Sequence, residues 1–141
     1  MVKRTLWEAT AGLCPPGWHL PSDTEWKILE GVVDSQHGIL DSFWDFSGGW
    51  RGIDAGNNLR SLSGWYGGGN GTDLYGFTGK PGGYQLPNGN SGGATIEVGY
   101  WTSTEYNEES AWHRFLQYSK YGVYRFPFEK EWGLYVRCIK D

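Results

Sequence analysis

Hydrophobic residues at helical spacing mark one segment near the start of the chain. Trp26, Leu29 and Val33 are three or four residues apart, which places them on one face of a helix. Ser22 precedes this run as an N-cap, and Glu25 three residues later completes a capping box. The pattern predicts a helix of about three turns with one buried face.

A second, shorter helix is predicted a few residues further on, in a segment that ends at Ser47-Gly48-Gly49. Its apolar residues are Ile39, Leu40, Phe43, Trp44 and Phe46. Glycine then dominates residues 64–93, where regular structure cannot persist, so a long loop is predicted. Five aromatic residues favour an ordered loop because they can pin it to the core: Trp65, Tyr66, Tyr75, Phe77 and Tyr84.

The last third of the chain is rich in aromatic and β-branched residues and predicts an antiparallel meander. The four predicted strands cover residues 98–103, 111–118, 122–126 and 133–139. Glu129-Lys130-Glu131 predicts a solvated turn before the last of them. Together with the helices, these strands predict a single α+β domain over residues 1–141.

The composition supports an irregular, aromatic-filled core. The 141 residues include 23 Gly, 9 Trp, 9 Tyr and 6 Phe, and each ring buries about 150–250 Å². A formal net charge of −4 without a basic stripe argues against nucleic-acid binding. No apolar run reaches the ~18 residues of a membrane span, and Met1 to Glu8 show no leader peptide.

Two cysteines, Cys14 and Cys138, lie near opposite ends of the sequence. If they form a disulfide, it closes almost the whole chain, which is worth about 5 kcal/mol in the chain-entropy model. The alternative is two buried free thiols. A bonded pair favours an extracellular, cell-surface or virion-surface location, although the sequence alone leaves the compartment open.

Residues for catalysis, cofactor binding or metal binding are not found at the required spacings. Gly79-Lys80 is followed by Pro81 where a phosphate loop needs Ser or Thr. The three histidines, His19, His37 and His113, do not have zinc-site spacing, and no Gly-x-Ser-x-Gly elbow occurs. The expectation is a protein that is not an enzyme, with no cofactor and no metal.

Strand 111–118 carries large side chains on both of its faces. Trp112, Arg114, Leu116 and Tyr118 alternate with His113, Phe115 and Gln117. One interpretation is that one face displays rings to solvent as a binding surface; the other is a second small core under the glycine loop. The first predicts these ligand-binding residues: Tyr106, His113, Phe115, Gln117, Tyr121, Tyr124, Arg125, Phe126, Phe128 and Trp132.

Several motifs together resemble the Fibrobacter succinogenes major paralogous domain, a C-type-lectin-like group related to the formylglycine-generating, sulfatase-modifying enzymes. The motifs are Leu6-Trp7-Glu8-Ala9, Cys14-Pro15-Pro16-Gly17-Trp18-His19-Leu20-Pro21-Ser22 with Glu25-Trp26, Pro81-Gly82-Gly83-Tyr84, Tyr100-Trp101-Thr102-Ser103-Thr104-Glu105-Tyr106, Ala111-Trp112 and Val136-Arg137-Cys138. The resemblance implies a C-type-lectin-like fold: one strong N-terminal helix, a second short helix, a long Gly-rich loop and a C-terminal antiparallel sheet. It also implies that the segment at Cys14 lies close to the last strand.

Related proteins suggest three functions. Lectin calcium sites are matched only approximately by Gln85-Leu86-Pro87-Asn88, and formylglycine-generating enzymes need a C-terminal cysteine pair where this chain has Cys138 alone. Variable proteins of diversity-generating retroelements are similar in carrying ligand-contacting residues over the stretch that matches 106–132. The resemblance therefore implies a receptor-recognition domain whose partner is a protein or cell-surface receptor. A calcium-independent glycan-binding module and a structural surface module are the alternatives, and a degenerate enzyme is a further one.

Overall fold

Helix α1 (Asp23–Val33) forms where the apolar spacing predicts it. The computed structural model, which describes residues 4–46 and 49–141, contains both halves of the capping box. The Ser22 hydroxyl accepts a hydrogen bond from the Glu25 N–H at 3.1 Å, and the Glu25 carboxylate accepts one from the Ser22 N–H at 2.9 Å. Trp26 and Val33 are buried, so the prediction of this helix is confirmed.

The second helix lies elsewhere than predicted. Helix α2 spans Ala55–Leu59, whereas the segment predicted to be helical contains only one 3₁₀ turn, Ser42–Asp45. The cause is that Leu40 adopts a φ of 67°, which no helix accommodates, and the Asp41 carboxylate caps the Phe43 N–H instead. The predicted helix end at Ser47-Gly48 and the first three residues of the chain, in which no leader is predicted, lie outside the described residues.

Short and long strands are interspersed along the chain. In sequence order the described strands are β1 (Thr5–Leu6), β2 (Trp18–His19), β3 (Gly49–Arg51), β4 (Tyr84–Gln85), β5 (Ser91–Gly92), β6 (Glu97–Glu105), β7 (Ser110–Gln117), β8 (Val123–Glu129), β9 (Gly133–Leu134) and β10 (Ile139–Lys140). They form three antiparallel sheets of order β3-β8-β7-β6, β1-β9-β4-β5 and β10-β2. The fold is therefore α+β and rich in β-structure, as predicted.

The predicted meander is confirmed for its first three strands and wrong for the fourth. Strands β6, β7 and β8 pair in succession, but residues 133–139 divide into β9 and β10, which pair with β1, β4 and β2. The place beside β8 is taken by β3, which the sequence did not predict. The predicted turn at Glu129-Lys130-Glu131 is present, and both glutamates are exposed. Lys130 is the exception, because it is buried and its ammonium bonds to the Glu105 carboxylate at 2.5 Å.

The two ends of the chain meet on the same side of the molecule. Strand β2 pairs with β10, and β1 pairs with β9. Between these pairs Cys14 and Cys138 form a disulfide, with their Cα atoms 5.9 Å apart and 124 residues of sequence separation. Of the two alternatives for these cysteines, the structure has the bonded pair, not the free thiols.

The glycine-rich segment runs as an ordered loop and is interrupted by β4 and β5. Trp65 is buried and donates from its indole N–H to the Gly79 carbonyl at 3.1 Å. Phe77 and Tyr84 are partly buried in the two hydrophobic cores. Tyr75 is exposed, so the prediction that it also pins the loop is wrong. Tyr66 is exposed as well, but its ring packs edge-on against Tyr118 with centroids 5.2 Å apart.

Candidate ligand-binding face

The two faces of the β3-β8-β7-β6 sheet serve different purposes. Arg114, Leu116 and Val123 point toward α1, where Leu116 and Val123 join the main hydrophobic core. The neighbouring residues in sequence, such as Phe115 and Tyr124, point away from the helix and join a second core. Both interpretations of the alternation in β7 therefore hold in part, because this second face is a small core at one end and half-exposed at the other.

A continuous layer of rings covers this second face, and we call it the aromatic face. Its members are Trp50, Tyr84, His113, Phe115, Tyr124, Phe126, Phe128 and Trp132. Neighbouring ring centroids lie 5.1 Å apart for Trp50 and Tyr124, and 5.1 Å apart for Phe128 and Trp132. Phe126 is 42% exposed at the open end of the layer, and the rings around it are half-buried.

His113 forms the floor of the aromatic face. Its side chain is 0% exposed, and its ring stacks on Phe128 with centroids 4.4 Å apart. Nδ1 lies 2.5 Å from the Phe126 carbonyl oxygen, which can only accept, so Nδ1 carries the proton and Nε2 is an acceptor. Burial lowers the pKa of His113 to about 3, against the opposing effect of that hydrogen bond, so the imidazole is neutral at neutral pH.

Three of the predicted ligand-binding residues are therefore not available at the surface, which corrects the sequence interpretation. His113 and Phe115 are buried beneath the neighbouring rings. Arg125 points the other way: its guanidinium bonds to the Asp23 carboxylate at 2.7 Å and lies 3.8 Å from the centroid of the Trp112 ring. Successive side chains of a strand point to opposite faces of the sheet, so Arg125 faces α1 because its neighbours Tyr124 and Phe126 belong to the aromatic face.

Three further predicted residues lie away from the aromatic face. Tyr106 is exposed and packs edge-on against Trp112, on the helix side of the sheet. Tyr121 is 64% exposed just before β8, and Gln117 at the end of β7 accepts a hydrogen bond from the Ser119 hydroxyl. The structure thus brings together Tyr124, Phe126, Phe128 and Trp132 as half-exposed rings, over His113 and Phe115.

Two members of the aromatic face, Trp50 and Tyr84, were missed in the sequence as ligand-binding candidates. Trp50 lies on a strand of only three residues, too short to show alternation. Tyr84 belongs to the glycine-rich segment, where it was interpreted only as a pin for the loop. The local sequence carries no signal that either residue would reach this face.

A buried network of charges fixes the sheet to α1 from behind. Its members are Asp23, Glu30, Arg51, Arg114 and Arg125, and each is at most 8% exposed. Arg114 contacts both acids, at 2.7 Å to Asp23 and 3.0 Å to Glu30. Burial by itself raises the pKa of the Asp23 carboxyl, but the bonds from Arg125 and the charge of Arg114 outweigh it and lower the pKa to about 2. The strands that carry the aromatic rings are held in one position as a result.

Gly99 is required where β6 passes under the aromatic face. A Cβ at this position would lie 2.2 Å from a ring carbon of Phe115 and 2.7 Å from a methyl of Leu134. We expect Gly99→Ala to lower the free energy of unfolding by about 1–3 kcal/mol, as overpacked core substitutions do. Urea denaturation measures the change. Gly68→Ala is the control, because nothing lies within 4 Å of a Cβ there; equal effects of the two would contradict the packing described here.

The described residues contain no group of three or more His, Cys, Asp or Glu side chains placed to hold a metal ion. In the same part of the chain, no helix has the length and apolar character needed to cross a membrane.

Comparison with known protein families identifies the family of this chain. The family model of the Fibrobacter succinogenes major domain matches residues 5–140, so the protein belongs to that family. None of the curated proteins and none of the solved structures that were compared matches it significantly.

Proposed function

We propose that this domain is a non-catalytic recognition module that binds its ligand on the aromatic face. The observation that carries the proposal is a row of half-exposed rings on strands that are locked from behind by buried ion pairs. Aromatic side chains supply large contact area with few rotatable bonds and are enriched at binding hot spots. A backbone that is already rigid loses little entropy on binding.

We also propose that the fold is C-type-lectin-like. The pairing of β2 with β10, and the disulfide beside it, support this, because the family resemblance implies that the segment at Cys14 lies close to the last strand. The same disulfide supports an extracellular, cell-surface or virion-surface location, where oxidising conditions preserve such bonds.

The ligand that we favour is a protein, such as a cell-surface receptor. The open end of the aromatic face is formed by Trp50, Tyr124 and Phe126, which together present a mostly apolar surface. A glycan is the second candidate. The rings of Tyr124 and Phe126 lie side by side, with an interplanar angle of 29°, and such adjacent flat rings suit the stacking of sugars without calcium.

The further proposal that this surface is diversified by a retroelement gives a specific pattern on this structure. Along β8, Tyr124, Phe126 and Phe128 face outward, whereas Val123 and Arg125 are buried against α1. Sequencing many natural copies of the gene would show substitutions at the outward positions and constancy at the buried ones. Sparse and uniform variation across residues 106–132 would exclude diversification.

The binding proposal is tested with a double variant, Tyr124→Ala/Phe126→Ala. The probes are peptides selected from a random phage-displayed library and a panel of immobilised oligosaccharides, each with the intact domain as bait. We expect bound probes to lose at least about tenfold in affinity, as hot-spot truncations do. The matched control is Tyr66→Ala/Tyr75→Ala, which removes two exposed tyrosines outside the aromatic face. Equal loss in both variants, or none in the first, would overturn the proposal.

A further inference from the structure

A second concave site lies outside the aromatic face, beside the disulfide. It is a cavity of about 240 Å³ between α1, the glycine-rich loop and the C-terminal residues. Its apolar walls are formed by Trp18, Trp26, Leu29 and Phe77. The cavity holds about eight waters at ~30 Å³ each, and it is smaller than the ~300 Å³ at which pockets for drug-sized ligands begin. An occupant of one or two fused rings fits this volume.

Two cations lie at the edge of this cavity. The Arg137 guanidinium stacks over the Phe77 ring at 4.3 Å from its centroid and donates to the Phe77 carbonyl. Lys140 lines the cavity, is exposed and forms no salt bridge with the described residues.

Glu25 supplies the carboxylate of the cavity lining, and it is already engaged. It lies 2.8 Å from His19 Nε2 and accepts a hydrogen bond from the Ser22 N–H. Hydrogen bonds to Asp141 and Glu25 raise the pKa of His19, which favours the imidazolium that balances these acids. The lining therefore carries the two cationic side chains of Arg137 and Lys140, and its carboxylate is already paired with His19. This makes the lining complementary to an anion.

Two polar atoms behind the inner wall have no hydrogen-bond partner among the described residues. Trp26 is almost fully buried, and its indole N–H meets no acceptor among the described residues. The hydroxyl of Tyr100, whose ring centroid lies 5.5 Å from that of Trp26, is likewise unpaired. Neither atom has accessible surface, so neither faces the cavity, and the wall that an occupant meets there is apolar.

We propose that this cavity is a second binding site, for a small aromatic carboxylate. The ring system lies among Trp18, Leu29 and Phe77, where flat apolar surfaces meet. The carboxylate provides the negative charge that Arg137 and Lys140 complement. This site shares no residue with the aromatic face, so the two sites can be tested separately.

The experiment is an NMR titration of the intact, oxidised protein, labelled with ¹⁵N at its indoles, with 2-naphthoate as the probe. The nine indole N–H signals report on both sites at once. We expect saturable shifts of the Trp18 and Trp26 signals through the ring current of the probe, while Trp50 and Trp132 stay unchanged. Replacement of Trp18, Trp26, Trp50 and Trp132 by Phe, one at a time, assigns the four signals that decide the result.

The charge complementarity is tested with a neutral probe and a matched pair of variants. We expect 2-naphthamide, which has the same shape without the charge, to bind about tenfold more weakly. Lys140→Gln weakens binding of 2-naphthoate about two- to fivefold, and Lys120→Gln, an exposed lysine outside the cavity, leaves it unchanged.

Three outcomes would overturn the proposal. The first is shifts confined to Trp50 and Trp132, which would place the probe on the aromatic face and leave the proposed function standing. The second is the absence of any saturable shift. The third is equal affinity for 2-naphthoate and 2-naphthamide together with equal effects of the two lysine variants.

Discussion

Asp23→Asn is expected to lower the free energy of unfolding by about 3 kcal/mol at pH 7, because it removes one of the two acids that hold the buried arginines. Arg125 loses the carboxylate that it contacts at 2.7 Å, and Arg114 retains Glu30 as its one carboxylate partner among the described residues. Both guanidinium groups stay buried, at most 7% exposed at their side chains, so water cannot replace the lost partner. Chemical denaturation of the two proteins gives the difference directly.

The same substitution should have an effect that depends on pH. The pKa of Asp23 is about 2 in the folded protein, below its ordinary value of 3.8. Because the pKa of Asp23 is lowered on folding, its ionised form stabilises the fold at every pH above the ordinary pKa. This contribution, about 2 kcal/mol, is lost as the pH falls from about 4 toward 2. The difference between the parent protein and Asp23→Asn is therefore largest at neutral pH and shrinks at pH 2.

Glu109→Gln is the matched control for this experiment. It neutralises one carboxylate just as Asp23→Asn does, but Glu109 is exposed just before β7. We expect its effect on the free energy of unfolding to stay within about 0.5 kcal/mol. A difference between parent and Asp23→Asn that is the same at pH 7 and pH 2 would contradict the role assigned to the ionised Asp23.

The double variant Cys14→Ser/Cys138→Ser is expected to have the largest effect on stability. The disulfide spans 124 residues, and opening a closed loop of that length costs about 5 kcal/mol in the chain-entropy model. The free energy of unfolding of single domains is only about 5–15 kcal/mol, so the variant should retain a small part of that stability. Thermal unfolding followed by circular dichroism should show a Tm lower by on the order of 15 °C.

Reduction of the parent protein separates the bond itself from the packing of the cysteine side chains. With dithiothreitol, the Tm of the parent should fall to near that of the double variant, and the variant should not respond. If thiol titration shows that the parent is fully reduced while its Tm is unchanged, the bond does not contribute to stability in the manner described.

Local signals predicted helix α1 because its capping box and apolar spacing are contained within a dozen residues. Helix α2 was not predicted, because its five residues, Ala-Gly-Asn-Asn-Leu, have no periodicity and are poor helix formers. Its position is set by tertiary contacts, such as the close approach of Gly56 to the Gly122 carbonyl, where a Cβ would lie 2.1 Å away. Sequence reasoning cannot weigh a contact between segments that are so far apart in the chain.

The candidate site could be predicted only where it lies on long strands. Alternation along β7 separated its two faces correctly, but which face is buried depends on what covers it. Along β8 Arg125 was grouped with its neighbours Tyr124 and Phe126, although it points to the opposite face. The buried pairs of Arg114 and Arg125 with Asp23 decide that the helix covers one side, and the sequence offers no reason to pair residues about 100 positions apart. Trp50 and Tyr84 reach the aromatic face from short strands for the same reason.

The meeting of the two chain ends at the Cys14–Cys138 bond has a mechanical consequence. Tension applied to the chain outside residues 14–138 passes from one end to the other through a covalent bridge, and the segment between the cysteines carries none of it. The contacts that can be pulled apart are those of the flanking segments, such as the pairs of β1 with β9 and of β2 with β10. The aromatic face lies wholly between the two cysteines, so a domain tethered at a surface would keep its rings in place under shear for as long as the bridge stays oxidised.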